Sequence, residues 1–289
     1  MAAPGRVLVT GSSGRLGRFV VEALREAGWL TTGIDLTAPA DRAADRVIVD
    51  DAGDPYVLGA ALKGHDALVH LAAIPDPSRD TAFVTFEVNL QLANAAVEAA
   101  REAGVKNIVL ASSQSALGLA WAPVVRSPLA LPVTEDHPCA PEEIYGVSKQ
   151  ATESLFEMAA RRDGTDVAAL RFPAIWDPAE FAEATRRRLD NPQQGARSQW
   201  AYIDARDAGR SVALALAATV RGFRVFNIAA DEVFSKDDAN ALVRQWYPDR
   251  DATAVGGRAA LFSPVRAKAE LGFVNRYRWT PEGIEDRGA

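Results

Sequence analysis

Along the first half of the chain, short apolar runs alternate with longer amphipathic stretches. The runs at 6–10, 46–49, 67–71, 107–111 and 166–171 are rich in Val, Ile, Leu and Ala, and a further candidate strand lies at 31–35. They are apolar at successive rather than alternate positions, as strands are when both faces are covered. Between them, apolar residues recur at helical spacing over 16–27, 55–63, 83–103 and 145–162. Strand and helix in turn predict a doubly wound α/β fold, a parallel sheet with helices on both sides. Beyond Arg171 the rhythm loosens. "FPAIWDPAEF" carries two prolines, and short helical patterns follow it. Residues 1–171 are therefore expected to form the main domain. A helix at 204–218 and a strand at 224–227 return to it, so that about 204–228 complete its sheet. The rest of 172–289 is expected to be mostly a smaller, interleaved substrate-binding cap.

Composition narrows the function. The chain has 289 residues, 48% hydrophobic and 24% charged, which is ordinary for a globular enzyme. A net charge of −6 argues against a nucleic-acid partner. The densest basic cluster, "ATRRRLD" at 184–190, reads as the polar side of a helix. No apolar run approaches the roughly 18–20 residues of a membrane span. The first strand starts at Arg6, which leaves no room for a signal peptide. Cys139 is the single cysteine, so no intramolecular disulfide can form, and with three histidines no Cys/His metal set can be assembled. These features predict a cytoplasmic enzyme without a metal.

The stretch "RVLVTGSSGRLGRFVVEAL" sets three glycines, Gly11, Gly14 and Gly17, between a strand and a helix. Backbone N–H groups of such a turn and of the helix start form an anion site. Glycines let that backbone approach a pyrophosphate. Gly11, Ser13, Gly14, Arg15, Leu16 and Gly17 are thus candidate contacts of a dinucleotide. The next strand ends in "GIDL", with Asp35 eighteen residues after Gly17. A carboxylate there accepts hydrogen bonds from ribose hydroxyls and repels a 2′-phosphate, which selects NAD over NADP. Leu36 follows it. After the third strand, Asp51 and the Ala52 N–H are placed for the adenine, while Asp54 reads as a helix N-cap. Leu71, Ala72 and Ala73 end the fourth strand with small residues, leaving space for the cofactor. Ala111 does the same on the fifth. His70, inside an apolar strand, reads as a core histidine.

"EIYGVSKQATESL" places Tyr145 and Lys149 one helical turn apart, on one face. A tyrosine with a pKa of about 10 is a poor base at neutral pH. An ammonium one turn away, with a nicotinamide cation, is expected to lower it. Gly146 between them allows close approach to a neighbour. Ser112, Ser113 and Ser115 end the fifth strand in "NIVLASSQSALG" and face the same crevice. The set predicts hydride transfer: NAD moves the hydride, Tyr145 the proton, Lys149 tunes the phenol and binds ribose, and Ser113 orients the substrate.

With these motifs in order, the chain resembles the extended short-chain dehydrogenase/reductases, within the NAD-dependent epimerase/dehydratase family. "HLAA", "VNLQLANAAVEAA", "ASSQSALG", "YGVSK", "LRFPAIW" and "RAKAELGF" add to the likeness. The resemblance implies a Rossmann fold and Ser113, Tyr145 and Lys149 as the catalytic set. It implies that Asn89 supports the site near the cofactor and that Pro173 packs by the nicotinamide. Family dehydratases place an Asp-Glu pair after the catalytic Ser/Thr, where this chain has Gln114 and Ser115. Dehydration is therefore not expected. Family epimerases commonly carry an asparagine for the diphosphate where Ala174 stands here. The long loop before Tyr145 borders substrate in the family, so Ser115, Trp121, Arg126 and Trp176 are candidate substrate contacts. Helices 83–103 and 145–162 imply a homodimer by the same resemblance.

Three functions follow. The first is an NAD-dependent dehydrogenase or reductase acting on a small sugar, sugar acid or similar compound. The second is a sugar or nucleotide-sugar epimerase that retains NAD. The third is a non-catalytic NAD(P)-sensing regulator, which the intact Ser-Tyr-Lys set argues against.

Overall fold

The computed structural model describes residues 5–288. Its first half runs β1 (Arg6–Thr10), α1 (Arg15–Glu26), β2 (Leu30–Asp35), β3 (Arg46–Val49), α2 (Pro55–Leu62), β4 (Ala67–His70), α3 (Ala82–Ala103), β5 (Asn107–Ser113), α4 (Ile144–Asp163) and β6 (Asp166–Phe172). Capping explains several of these boundaries. Asp54 accepts from Tyr56 N and Val57 N to start α2, and Thr81 accepts from Val84 N to start α3. Gly104 and Gly164 end α3 and α4 in the left-handed conformation.

After β6 come β7 (Ala174–Trp176), α5 (Phe181–Asp190), α6 (Pro192–Arg197), β8 (Tyr202–Asp204), α7 (Ala205–Ala217) and β9 (Phe223–Asn227). The chain closes with α8 (Ala239–Trp246), α9 (Val265–Leu271), β10 (Tyr277–Thr280) and β11 (Gly283–Asp286). The main sheet has the order β3-β2-β1-β4-β5-β6-β9, and all its pairings are parallel. Strand order reverses between β1 and β4, so a crevice opens there at the carboxyl ends of the strands.

Alternate residues of β1 serve opposite faces. Val7 and Val9 pack with Val20, Leu24 and Val212 of α1 and α7. Leu8 packs on the other side with Leu58, Ala96 and Phe156 of α2, α3 and α4. β9 extends the sheet beyond β6, and α7 packs on α1, so two late elements return to the main layer.

β5 and β6 run farther than the apolar pattern predicts, because Ser112 and Ser113 stay paired with Arg171 and Phe172. That extension carries the serines to the crevice. Beyond it, β7 pairs with β8, β10 pairs with β11, and an aromatic cluster of Trp176, Tyr202, Phe234 and Trp279 holds these segments together. Among the described residues, no helix is long and apolar enough to cross a membrane.

Candidate active site

A cavity of about 1090 Å³ follows the carboxyl ends of the central strands. At one end its wall is Gly11, Gly14, Arg15, Leu16 and Gly17, then Asp35 and Leu36 after β2, and Asp51 and Ala52 after β3. Leu71, Ala72, Ala73 and Ala111 form its floor. Gly11 has φ 70°, and a Cβ there would stand 2.8 Å from Ala72 N. A side chain would be strained and would crowd the floor. α1 starts at Gly14 without a side-chain cap, so the first-turn N–H groups have no side-chain acceptor. An uncapped helix start beside a bare glycine is an anion cradle. Asp35 stands at its edge, with one oxygen accepting from Ser13 N at 2.9 Å. A carboxylate, an anion cradle and a floor of small residues in one groove fit NAD.

Three of the expected residues have other placements or tasks. Ser13 is not part of the wall; its hydroxyl donates to Thr37 O at 2.7 Å and shapes the turn. Asn89 is buried behind the wall. Its oxygen accepts from Ile74 N at 2.7 Å and its amide donates to Ser148 Oγ at 3.0 Å, tying the loop after β4 to α4. Asp51 lines the cavity, but one of its oxygens accepts from Gly53 N at 2.7 Å.

Ser113, Tyr145 and Lys149 line the middle of the same cavity, with Pro173 beside them. α4 is aimed by Glu143, whose carboxylate accepts from Tyr145 N at 2.7 Å and Gly146 N at 2.6 Å. A Cβ on Gly146 would lie 2.6 Å from Ser115 O, so glycine lets the helix sit directly on the loop after β5. Ser113 Oγ accepts from Ser115 N and donates to Ser115 Oγ, both at 3.1 Å. Lys149 Nζ donates to Ala111 O at 3.1 Å and lies 5.8 Å from the centre of the Tyr145 ring.

Burial pushes the Lys149 ammonium down to about 8, against the pull of the Glu153 carboxylate one turn on. The Tyr145 phenol is set here by the chain's own groups. Burial pushes it above the ordinary tyrosine range; the neighbouring Ser113 hydroxyl opposes this, while Glu143 and Asp76 add to it. Among the chain's own groups, desolvation and these two carboxylates outweigh the Ser113 hydroxyl, so the phenol stays protonated at neutral pH.

Beneath the site lies a buried ionic network. Arg171 Nη2 meets Glu153 at 2.7 Å and Cys139 Sγ at 3.1 Å, and Ser112 Oγ donates to Glu153 at 2.5 Å. His70 is a core histidine: burial pushes it down to about 3, and its Nδ1 is 3.0 Å from Thr10 Oγ1.

At the far end, Ser115, Trp121 and Trp176 line the cavity, while Arg126 lies outside it in an exposed pair with Glu142 at 2.6 Å. Gln114 is buried and donates to Ser198 O at 3.1 Å and Gln199 Oε1 at 2.7 Å, so no carboxylate stands next to Ser113.

The basic cluster "ATRRRLD" also corrects its reading. Arg188 is only 9% exposed and, with Arg187, lines the cavity. It shares a helical face with Phe181 and Ala184, both packed on the aromatic cluster. That spacing was the available signal. Asp76, Arg79 and Ser198 also line the cavity and had no motif to announce them.

Comparison with known proteins agrees with this geometry. The family model "NAD dependent epimerase/dehydratase family" matches residues 7–229. An L-arabinose 1-dehydrogenase (NAD(P)(+)) from Haloferax volcanii is 33% identical over 198 residues, covering 66% of this chain and 74% of that protein. A UDP-glucose 4-epimerase from Corynebacterium glutamicum is 25% identical, covering 98% and 92%. A crystal structure of a short-chain dehydrogenase/reductase superfamily protein from Agrobacterium tumefaciens, with bound NAD, superposes with a TM-score of 0.73 at 26% identity, covering 96% of this chain and 94% of that one. The chain therefore belongs to the NAD-dependent epimerase/dehydratase family of extended short-chain dehydrogenase/reductases, whose members are dehydrogenases and epimerases that use NAD.

Proposed function

We propose that the protein is a dehydrogenase or reductase that moves a hydride between exchangeable NAD and a hydroxyl or carbonyl of a small sugar or sugar acid. The observation that carries this reading is the single cavity shared by the glycine turn, Asp35, Ser113, Tyr145 and Lys149. Bound NAD supplies the hydride acceptor or donor. Ser113 holds the substrate oxygen. In oxidation the Tyr145 phenolate would accept the substrate O–H proton as the carbon gives up its hydrogen with the C–H electron pair to the cofactor, leaving a carbonyl held by Ser113; in reduction the Tyr145 phenol would return the proton. Lys149 keeps positive charge near the phenol and would bind the cofactor ribose, a role supported by its position on the cavity wall. A phenol held protonated by burial favours proton donation at neutral pH, and oxidation gains from alkaline pH.

A second reading, an epimerase with retained NAD, draws on the near-full-length likeness to a UDP-glucose 4-epimerase. Ala174 on the cavity wall, where family epimerases commonly carry an asparagine, favours the first. In this account residues 1–171 with about 204–228 bind the cofactor, and the rest of 172–289 mostly serves as cap. A cytoplasmic homodimer through α3 and α4 also belongs to the proposal, supported by exposed Phe83 and Phe86 on α3.

The test is NADH formation with a panel of sugars, sugar acids and small alcohols, repeated with Tyr145→Phe. The variant is expected to bind NADH as the parent does and to lose about 10²–10⁴-fold in turnover. An undiminished rate would remove Tyr145 from the mechanism.

A further inference from the structure

Four guanidinium groups line the cavity. Among the described residues, three have carboxylate partners: Arg15 with Glu180, Arg79 with Asp76, and Arg187 with Glu183. Arg188 has none, although it is the buried one. Its partners are neutral. Nη1 donates to Ser198 Oγ at 2.6 Å and Nη2 to Ala201 O at 3.2 Å, and the Trp176 ring centre is 5.4 Å away. Two of five N–H groups are thus engaged, and three remain. Burying a guanidinium without a counter-charge is unfavourable, and burial pushes Arg188 down to about 10. An anion entering the cavity would relieve that penalty.

The position of Arg188 says which molecule would bring the anion. Ser198 accepts from Arg188 through its hydroxyl and from Gln114 Nε2 through its carbonyl at 3.1 Å. Gln114 directly follows Ser113. Arg188 is therefore coupled, through Ser198 and Gln114, to the residue next to Ser113 at the reacting end of the cavity. We propose that Arg188 seats an anionic substituent, a carboxylate or a phosphate, carried by the carbohydrate substrate. This rests on the reading of the cavity as the site of a small carbohydrate. Trp176 and Ser198 hold the guanidinium fork in place, so its free N–H groups select a charged substrate over its neutral analogue.

The experiment titrates D-glucuronate, glucose 6-phosphate, glucose and UDP-glucose into the protein–NADH complex by calorimetry, for the parent, Arg188→Gln and Arg188→Lys. Turnover of each compound is followed in parallel with NAD. NADH affinity in each variant reports that the fold and cofactor site are retained. The parent is expected to bind glucuronate or the sugar phosphate more tightly than glucose, and which of the two binds names the source of the anion. Arg188→Gln should lose about ten- to hundred-fold of that affinity, the range for a hydrogen bond to a charged group, and Arg188→Lys should recover part of it. Equal binding of glucose, anion binding unchanged in Arg188→Gln, no anion binding, or binding of UDP-glucose alone would each overturn the proposal. Anion binding through Arg188 without turnover leaves the site standing and removes the dehydrogenase reading. Oxidation of neutral sugars with no anion binding does the reverse.

Discussion

At the glycine-turn end, the cavity wall is mostly backbone, small side chains and one carboxylate after β2. At the cap end it is charged and aromatic side chains drawn from β7, α5 and the loop near Ser198. The first end binds through groups every residue has, placed by the geometry of one strand–turn–helix unit. The second binds through particular side chains from segments far apart in sequence. Arg188, Ser198 and Gln114 meet although 74 residues separate Gln114 from Arg188.

Between the two ends, the buried pair of Arg171 and Glu153 ties β6 to α4, with Ser112 on β5 bound to the same carboxylate. Glu153→Gln should have the largest effect on stability, lowering it by about 3–5 kcal/mol, because it leaves Arg171 buried and unmatched. Urea unfolding measures this. A loss below about 1 kcal/mol would mean that the two halves of the site do not depend on the network. The substitution also removes the carboxylate that supports the Lys149 charge. The Lys149 ammonium, charged below its pKa and neutral above it, should then lose its proton at lower pH than in the parent, which the pH dependence of turnover in parent and variant compares.

Asp35→Ala sharpens the account of the glycine-turn end. NAD should bind about 10–100-fold more weakly, with NADP gaining in relative preference, as expected when a charged acceptor at the ribose is removed. Fluorescence titration of the two reduced cofactors decides it, and a parent that already prefers NADP would contradict the role given to Asp35. The smallest effect belongs to Arg126, whose pair with Glu142 is exposed. Arg126→Ala should leave kcat/KM within about twofold and stability within about 0.5 kcal/mol. A larger kinetic loss would bring the Arg126 loop back into the cavity.

This division also explains what could be read from the amino-acid sequence. The strand–glycine–helix unit, Asp35, the serines after β5 and the Tyr145–Lys149 spacing are local patterns, and each lies at the cavity wall. The sheet was legible for the same reason, since most of its strands, β1, β4 and β5 above all, are short apolar runs. The cap end was not. Arg188 sits among three consecutive arginines, and composition alone makes them look like a solvated face. Only the shared face with Phe181 and Ala184 distinguishes it. The hydrogen bonds of Asn89 to Ile74 and Ser148, and of Ser13 to Asp35 and Thr37, join segments that no local pattern links. Arg126 lies outside the cavity, paired with Glu142 at the surface, a placement that its position in the loop does not announce. The raised phenol of Tyr145 could not be read from spacing, because it depends on burial and on Ser113, Glu143 and Asp76.

The most direct test of the central claim is the cofactor content of the purified, extensively dialysed protein. The protein is denatured, and any NAD, NADH, NADP or NADPH in the supernatant is identified and counted against protein. A dehydrogenase with exchangeable NAD should come out nearly empty and take up NAD reversibly. Near-stoichiometric NAD(H) retained through dialysis would contradict that account and point to an epimerase, with nucleotide-sugars as the next substrates to try.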